Sequence, residues 1–392
     1  MRSSPPEGAD LAWYVSDLRN RGVRRIHVLA WRDLDDPDAG GSEVHADEFM
    51  RRWSDLGLDV LHRTSAAKGL PAVDRRNGYA VVRRGSRYSV FPRTVVSELT
   101  HRMGRFDALV EIWNGVPWFS PIWCRKPRIT ILHHVHGPMW DQIFPGPFAA
   151  IGRVMETRLA PPIYRRSSTV TPSDATRDEL LELGFRPQQV TAVSNGVDPC
   201  FAPGGEKTPN PSLVAVGRLA PVKRFELLID GAVEARRRVP NLTLTLVGVG
   251  PLRTQLEARV AAAGATGWIR FAGRLERLDL VSEYQKAWLV VSGSLAEGWG
   301  LSLTEGAACG TPAVATDIRG HRSSVVAGVT GVLVEPNLLG TTIADVLLDD
   351  RRRHELSIAA LNRAQTLTWD ASALGLTRCL HAEVVRSQDR SR

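Results

Sequence analysis

Residues 212–250 read SLVAVGRLAPVKRFELLIDGAVEARRRVPNLTLTLVGVG. An apolar, β-rich run (SLVAVG) gives way to a helical pattern over 225–238, and a second such run (LTLTLVG) follows at once. Apolar strands joined through a helix indicate parallel pairing in a sheet covered on both faces, because such strands have no polar side to show to water. The pattern continues downstream with a helix over 252–263, WIRFAG, a short helix to 287, WLVVSGS, a helix from 301, and PAVAT. It also stands upstream: RRIHVLA, a helix over 42–56, LDVLHRT, GYAVVRR, FDALVEIW and RITILHH. Further on, GPFAAIGRVMETRLAPPIYRRS reads as a helix stopped by Pro161 and Pro162, and Ser173 in STVTPS as the N-cap of DATRDELLELG, which Gly184 closes.

The two series are divided by VSNGVDPCFAPGGEKTPNPS, residues 193–212, where Asn-Gly, Asp-Pro, Gly-Gly and further prolines stand without hydrophobic periodicity. The expected organisation is α/β, with two Rossmann-like, doubly wound parallel-sheet domains over 1–195 and 196–370. The tail is helical in pattern and carries no strand, so residues 371–392 are expected to form a surface helix packing back across the N-terminal domain. Open α/β sheets bind ligands at the C-terminal ends of their strands, so the chemistry is expected in strand-to-helix loops that meet in an interdomain cleft.

Composition narrows the field. At 392 residues with 43% apolar and 23% charged side chains, the chain is too long for a disulfide miniprotein and too apolar for a disordered one. Its net charge of +8 suits anionic ligands, yet five of those eight charges fall in residues 1–190 and neither half is a polycationic nucleic-acid arm. The stretch Arg75, Arg76, Arg83, Arg84, Arg87, with Asp74 its lone acid, reads first as a solvated hairpin and second as a basic face for peripheral membrane contact. Trp113, Trp118, Trp123 and Trp140 are not interleaved with basic clusters as in a nucleic-acid platform, and read as core or acceptor pocket. Cys124, Cys200, Cys309 and Cys379 lack CxxC spacing, and the polar start MRSSPPEGADLAWYV lacks a signal peptide's apolar centre. No run reaches the roughly 20 apolar residues of a membrane span. A cytoplasmic protein is expected.

Four loops carry candidate chemistry. In SGSLAEGWGLSLTEGAACGTPAVAT, Glu297 leaves a strand and Glu305 enters a helix after a Gly-rich turn, so both face the loop mouth. A helix start offers N–H groups and a positive dipole end to a phosphate, and a carboxylate there accepts hydrogen bonds from a ribose diol or sugar hydroxyls; a dipole-stabilising charge at Glu305 and an exposed acid at Glu297 account for them equally well. In VAVGRLAPVKRFELLI, Gly217 ends a strand, and Arg218 and Lys223 offer fixed cations for a leaving diphosphate, though a solvated loop is the commoner fate of such residues. DLDDPDAGGSEVHADEF places Gly40 and Gly41 before a helix capped by Ser42. Its Asp36 and Asp38 form a D-x-D pair that reads as solvated acid more readily than as a Mg²⁺ site. In HHVHG, neighbouring strand residues point to opposite faces, so His133, His134 and His136 do not make a zinc set; a hydrogen-bonding or acid/base histidine at the strand end fits better. The GxG of VGVGP, Gly248 and Gly250, lacks the third glycine of a dinucleotide fingerprint.

Together these segments resemble glycosyltransferase family 4, the retaining nucleotide-sugar transferases of GT-B fold, over most of the chain. AEGWGLSLTEGAACGTPAVAT carries the most specific likeness; VGRLAPVKRFELLI, VGVGPLRTQLE, SNGVDP and AGGSEVHA match the family's other segments. The resemblance implies that Arg218 and Lys223 hold the donor diphosphate, that Glu305 binds the ribose, and that Glu297 binds the hydroxyls of the transferred sugar. Gly217, Gly298, Gly300 and Leu301 would line the donor loops, Gly41 would lie at phosphate or acceptor, and His133 would contact donor sugar and reacting oxygen. Arg218, Lys223, Glu297 and His133 are the candidate catalytic residues, with no metal and no cofactor beyond the nucleotide-sugar co-substrate. The expected activity moves a hexose-type sugar to an acceptor hydroxyl on a glycan, lipid or small metabolite; the alternative is an epimerase or hydrolase of similar build that needs no acceptor. The sequence departs from the family pattern at Trp299, Val249, Arg224, Arg319 and Ser323.

Overall fold

A computed structural model of the chain describes residues 5–143 and 146–390. The first four residues of the N-terminal stretch and residues 391–392 of the tail lie outside it. The chain divides into two compact units: one runs to Gly196 and resumes at Trp369, and the other spans Val197–Thr368. From sequence the divisions were placed after 195 and after 370.

Among the described residues the first unit holds an eight-stranded sheet: β1 (Arg25–Leu29), β2 (Asp59–Thr64), β3 (Val73–Arg76), β4 (Tyr79–Arg83), β5 (Ala108–Trp113), β6 (Arg128–Leu132), β7 (Thr169–Thr171) and β8 (Val190–Ala192), in the order β3-β4-β2-β1-β5-β6-β7-β8. All pairs are parallel except β3 with β4, an antiparallel hairpin on the sheet edge. β5 is buried along its whole length, as the continuous apolar reading of FDALVEIW requires, and its one charged residue, Glu111, is buried with it and accepts from Thr130 Oγ1 at 3.0 Å. β3, β7 and β8 escape the sequence reading: all are short, and β3 alternates exposed with half-buried residues, so it shows no apolar run. Trp113, Trp118 and Trp140 are buried and belong to the core.

The segment after residue 146 corrects the sequence reading. Pro161 and Pro162 do not end the helix; it runs Pro147–Val154, widens into a π-turn over Met155–Leu159, and resumes as Ala160–Tyr164. The wider turn lets the helical path continue where a proline has no N–H to donate, which a pure α-helix cannot accommodate without a break. Ser173 caps the helix Asp174–Glu182, its Oγ accepting from Thr176 N at 3.1 Å.

The arginine stretch lies on and just after the β3–β4 hairpin, and three of its five arginines are paired with acids rather than merely solvated. Arg83 is buried and pairs with Asp33 (2.7 Å), Asp35 (2.8 Å) and Asp74 (3.1 Å). Arg76 pairs with Asp35, and Arg87 with Asp38. The acids of the DLDDPD loop are therefore partners of these arginines, and a buried guanidinium in turn requires them, because unpaired burial of its charge costs several kcal/mol.

The second unit holds β9 (Ser212–Val216), β10 (Thr243–Val247), β11 (Ile269–Gly273), β12 (Leu289–Ser292), β13 (Ala313–Thr316) and β14 (Gly331–Val334), all parallel, in the order β11-β10-β9-β12-β13-β14. The order reverses at β9, which puts a topological switch point between β9 and β12. Leu213, Ala215, Leu228, Ile229, Leu244, Leu246, Leu289 and Val314 share one core with Leu339 and Ile343.

The helix Trp369–Arg390 returns to the first unit. Rather than lying across the surface, it contributes Ala373, Leu376, Leu380 and Val384 to the same core as Ile26, Val28 and Phe49. Among the described residues no helix is long and apolar enough to cross a membrane.

Candidate donor site

In the second unit the loops after β9 and β12 are sewn together by backbone. After Gly217 and Arg218 the chain makes a tight turn over Pro221–Lys223 and enters the helix Phe225–Arg236 through Arg224, whose φ of 45° is left-handed. A side chain is strained there, since its Cβ crowds the backbone in the left-handed region. Arg224 offsets the strain by donating from Nε to the Gly293 carbonyl at 2.8 Å, and Leu295 N donates to Val222 O at 2.8 Å. The outcome is that Lys223 Nζ stands 2.8 Å from Glu297 Oε1.

Glu297 is the electrostatic centre of this loop. Ser294 Oγ donates to its Oε1 at 2.6 Å, and His321 Nε2 lies 3.6 Å from the same oxygen. Burial pushes its proton affinity up, but Lys223 and His321 more than offset this and hold the carboxyl well below the usual carboxylate range. His321 is itself buried, with Nδ1 2.7 Å from Thr316 O and Nε2 3.1 Å from Ser292 Oγ. Since the Thr316 carbonyl only accepts, Nδ1 carries a proton, and Nε2 is the nitrogen turned toward Glu297. Gly320 makes this possible: a Cβ there would stand 2.1 Å from the Glu297 carbonyl oxygen.

Glu305 occupies the second turn of the helix Leu301–Ala308, which starts directly after Gly300. It accepts from Tyr284 OH at 2.8 Å, and burial pushes its carboxyl up to about 7, with Arg277 pulling the other way. The two carboxylates thus differ in charge state near neutrality: Glu297 is a fixed anion beside a cation, and Glu305 is poised to ionise. Trp299 is buried, Gly298 lies in the loop between β12 and this helix, and Arg218 is exposed on the β9 loop.

Gly248 and Gly250 have a packing role. A Cβ at Gly248 would come within 1.9 Å of the Gly217 carbonyl, and one at Gly250 within 2.4 Å of Leu219 O. The β10 loop lies directly on the β9 loop, with Gly217 N bonded to Val247 O and Leu219 N to Val249 O. The VGVGP segment therefore sets the backbone path on which Arg218 and Lys223 are mounted.

Gly41 and His133 belong to the first unit. Gly41 opens the helix Gly41–Asp55, whose N-cap is Gly40 and not Ser42; Gly40 N donates to Glu43 Oε2 at 2.7 Å, so Glu43 does the capping that Ser42 was expected to do. His133 follows β6 and sets Nε2 3.0 Å from Nδ1 of His45, which lies on that same helix and stacks on Trp369. Burial, with His45 and His134 nearby, holds His133 well below the ordinary histidine range, so it is neutral, and its buried Nδ1 has no hydrogen-bond partner. His136 takes a different role: its backbone N and that of Gly137 donate to Glu156. Among the described residues no three His, Cys, Asp or Glu side chains gather as a metal site requires.

Arg218, Lys223, Glu297 and Glu305 thus stand on neighbouring loops of one unit, and Gly41 and His133 are linked through His45 in the other. Sequence reasoning missed Ser294, Tyr284 and His321. Only His321 left a signal, as the residue after the glycine in TDIRGHRSS.

Two family models match this chain: Glycosyltransferase Family 4 over residues 39–201 and Glycosyl transferases group 1 over residues 200–363. The D-inositol 3-phosphate glycosyltransferase 2 of Catenulispora acidiphila is 29% identical, covering 91% of this chain and 93% of its own length. The D-inositol 3-phosphate glycosyltransferase of Kribbella flavida is 28% identical over 90% of this chain and 94% of its own. Among solved structures, sucrose-phosphate synthase from Thermosynechococcus elongatus superposes with a TM-score of 0.77 at 20% identity, covering 94% of this chain and 100% of that one. Anabaena Alr3699/HepE in complex with UDP and glucose does so with 0.68 at 18%, with the same coverage. Since the two family matches meet at residues 200–201 and leave no gap between 39 and 363, the chain is a family 4 glycosyltransferase of GT-B fold.

Proposed function

We propose that the enzyme moves a sugar from a nucleoside diphosphate sugar to an acceptor hydroxyl with retention of anomeric configuration and without a metal ion. The observation that carries this reading is the Lys223–Glu297 pair, held at 2.8 Å by stitched loops at the switch point of the second sheet. Lys223 and Arg218 neutralise the diphosphate as the bond to the sugar breaks, a role that fixed cations fill without reorganisation. Glu297, kept ionised by Lys223, accepts hydrogen bonds from the sugar hydroxyls, and Glu305 accepts from the ribose once its proton is lost. His133, neutral and with a spare ring nitrogen, serves the donor sugar and the reacting oxygen. The acceptor hydroxyl attacks on the face the diphosphate leaves, through an oxocarbenium-like state, and its proton passes to the departing phosphate oxygen.

The Anabaena neighbour was crystallised with UDP and glucose, and the relatives are named for D-inositol 3-phosphate, so a UDP-sugar and an inositol phosphate are the first donor and acceptor to try. The four cysteines are free thiols, in keeping with work in a reducing cytosol. A thermal-shift panel of UDP, GDP, ADP and dTDP identifies the base. Arg218→Ala combined with Lys223→Ala is expected to lower turnover of the matching sugar nucleotide by about 10²-fold or more. Unchanged turnover removes the proposal, and donor consumption independent of acceptor removes the transferase half of it.

A further inference from the structure

We propose that the first unit carries a second anion site, built to hold a phosphate-bearing ligand at the opposite end of its sheet from His133. His133 follows the last residue of β6, whereas this pocket opens at the first, Arg128; five residues of extended chain put roughly 15 Å between the two ends. The pocket encloses about 230 Å³ and is lined by Arg125, Lys126, Arg128, Arg166, Arg386 and Arg390. Glu383 is the one acid of the lining, and Arg386 already pairs with it at 2.6 Å. Six cations against one carboxylate leave a concave surface with five uncompensated positive charges.

Arg125, Lys126, Arg166 and Arg390 are exposed, so water moderates the repulsion among these cations, and an anion seated between them removes what remains of it. The pocket differs from the Arg76, Arg83 and Arg87 cluster in this respect, because there the DLDDPD acids supply the counter-charge. Two guanidinium nitrogens, Nε of Arg128 and Nε of Arg386, are buried without a hydrogen-bond partner. Buried donors are ordinarily satisfied, and a phosphate supplies several strong acceptors in the geometry that guanidinium forks match. The volume is below that usual for drug-sized ligands, so it suits a phosphate, a pyrophosphate or a phosphoester headgroup better than a whole sugar nucleotide. Arg386 and Arg390 come from the helix Trp369–Arg390, and Arg128 and Arg166 from the sheet side, so a bound anion also ties that helix to the sheet.

The test uses the full chain with two probes: sodium pyrophosphate followed by calorimetry at matched ionic strength, and phosphatidylcholine vesicles with or without phosphatidylglycerol followed by co-sedimentation. Arg166→Ser with Arg386→Ser is expected to weaken the wild-type binding at least about tenfold, the loss of one charge-assisted contact. Arg125→Ser with Arg390→Ser provides a second pair should the first fail to fold. Arg351→Ser, on the exposed surface of the other unit, is expected to leave it unchanged, whereas Arg218→Ala with Lys223→Ala is expected to remove only the pyrophosphate bound at the donor loops and to keep that bound in this pocket. Binding of pyrophosphate identifies a soluble phosphate as the source, and binding of the phosphatidylglycerol vesicles alone identifies a lipid headgroup. If neither probe binds better than chloride, or if pyrophosphate binding is lost in the Arg218 and Lys223 variant and kept in the pocket variants, the site does not exist.

Discussion

Two carboxylates eight positions apart have acquired opposite characters from their neighbours. Glu297 has a lysine at 2.8 Å and is held ionised, whereas Glu305 has a tyrosine hydroxyl at 2.8 Å and is pushed up to about 7 by its burial. The consequences for stability have opposite signs. Glu305 is easier to protonate folded than unfolded, so its contribution is complete below the unfolded value near 4.5 and is lost as pH rises through about 7. Glu305→Gln is therefore expected to raise the stability measured by urea denaturation at pH 8, by about 1–3 kcal/mol, and to change it little at pH 4. Equal effects at both pH values contradict the shifted carboxyl. Donor affinity is expected to run the other way, weakening below pH 7 as Glu305 takes up the proton and stops accepting from the ribose, and calorimetric titration across pH 6–8 reads this directly. At Glu297 the depressed value gives stability that is present above the unfolded carboxylate range and is lost only as pH falls through the folded one. Lys223→Ala removes the main source of that depression, so the variant is expected to lose about 1–3 kcal/mol at pH 7 and to show a weaker acid dependence than wild type.

At the scale of elements, the sites depend on backbones that approach one another more closely than any side chain allows. Gly320 lets the helix Arg319–Ser324 sit against the Glu297 carbonyl, where a Cβ would be at 2.1 Å. Gly320→Ala must move one of the two, and is expected to cost about 1–3 kcal/mol and to reduce turnover together, because Glu297 moves with the loop. Gly267→Ala, whose added methyl meets nothing within 4 Å, is the matched control and should leave both unaltered. This is also where the sequence was legible and where it was not. Continuous apolar runs named β1, β2, β4, β5 and β6 and most of the second sheet, since strands buried on both faces leave that trace. β3 and β8 left none, being short and partly exposed, β7 is only three residues long and two of them are threonines, and the π-turn at Met155–Leu159 was hidden because a proline pair reads as a stop unless the preceding turn widens. Arg218, Lys223, Glu297 and Glu305 could be picked out because they carry charge beside glycine-rich turns. Ser294 and Tyr284 could not, since a serine in a loop and a tyrosine on a helix look like ordinary structure until the fold places them against a carboxylate.

At the scale of the molecule, the chain commits its last helix to the unit that its first strands began. Read alone, the tail looked like a helix for the surface, because its apolar residues are spaced among polar ones. The folded unit shows that those residues form one inward stripe: Leu376, Leu380 and Val384 are each no more than 1% exposed and meet Val15, Leu18 and Ile26 in one core. The polar residues on the same helix are also used, with Thr377 Oγ1 accepting from the buried Trp53 Nε1 at 2.7 Å and His381 Nε2 placed 2.7 Å from Asp17 Oδ2. Gly375 brings the helix so close to Val193 that a Cβ would lie 2.7 Å from its methyl carbon. The first unit is therefore incomplete without a segment that follows it by more than 170 residues of the other unit, Val197–Thr368. Leu376→Ala and Leu380→Ala each empty a site with no solvent to fill it, and are each expected to cost about 2–5 kcal/mol, transfer and cavity terms together. Truncation ahead of Trp369 exposes the whole stripe on the partner surface, and that variant is expected to lose the cooperative unfolding of the first unit altogether, measured by urea denaturation followed through Trp53 and Trp113 fluorescence. A truncated protein that kept the wild-type transition would mean that the eight strands and their remaining helices form a sufficient core, and that the long return of the chain stabilises nothing.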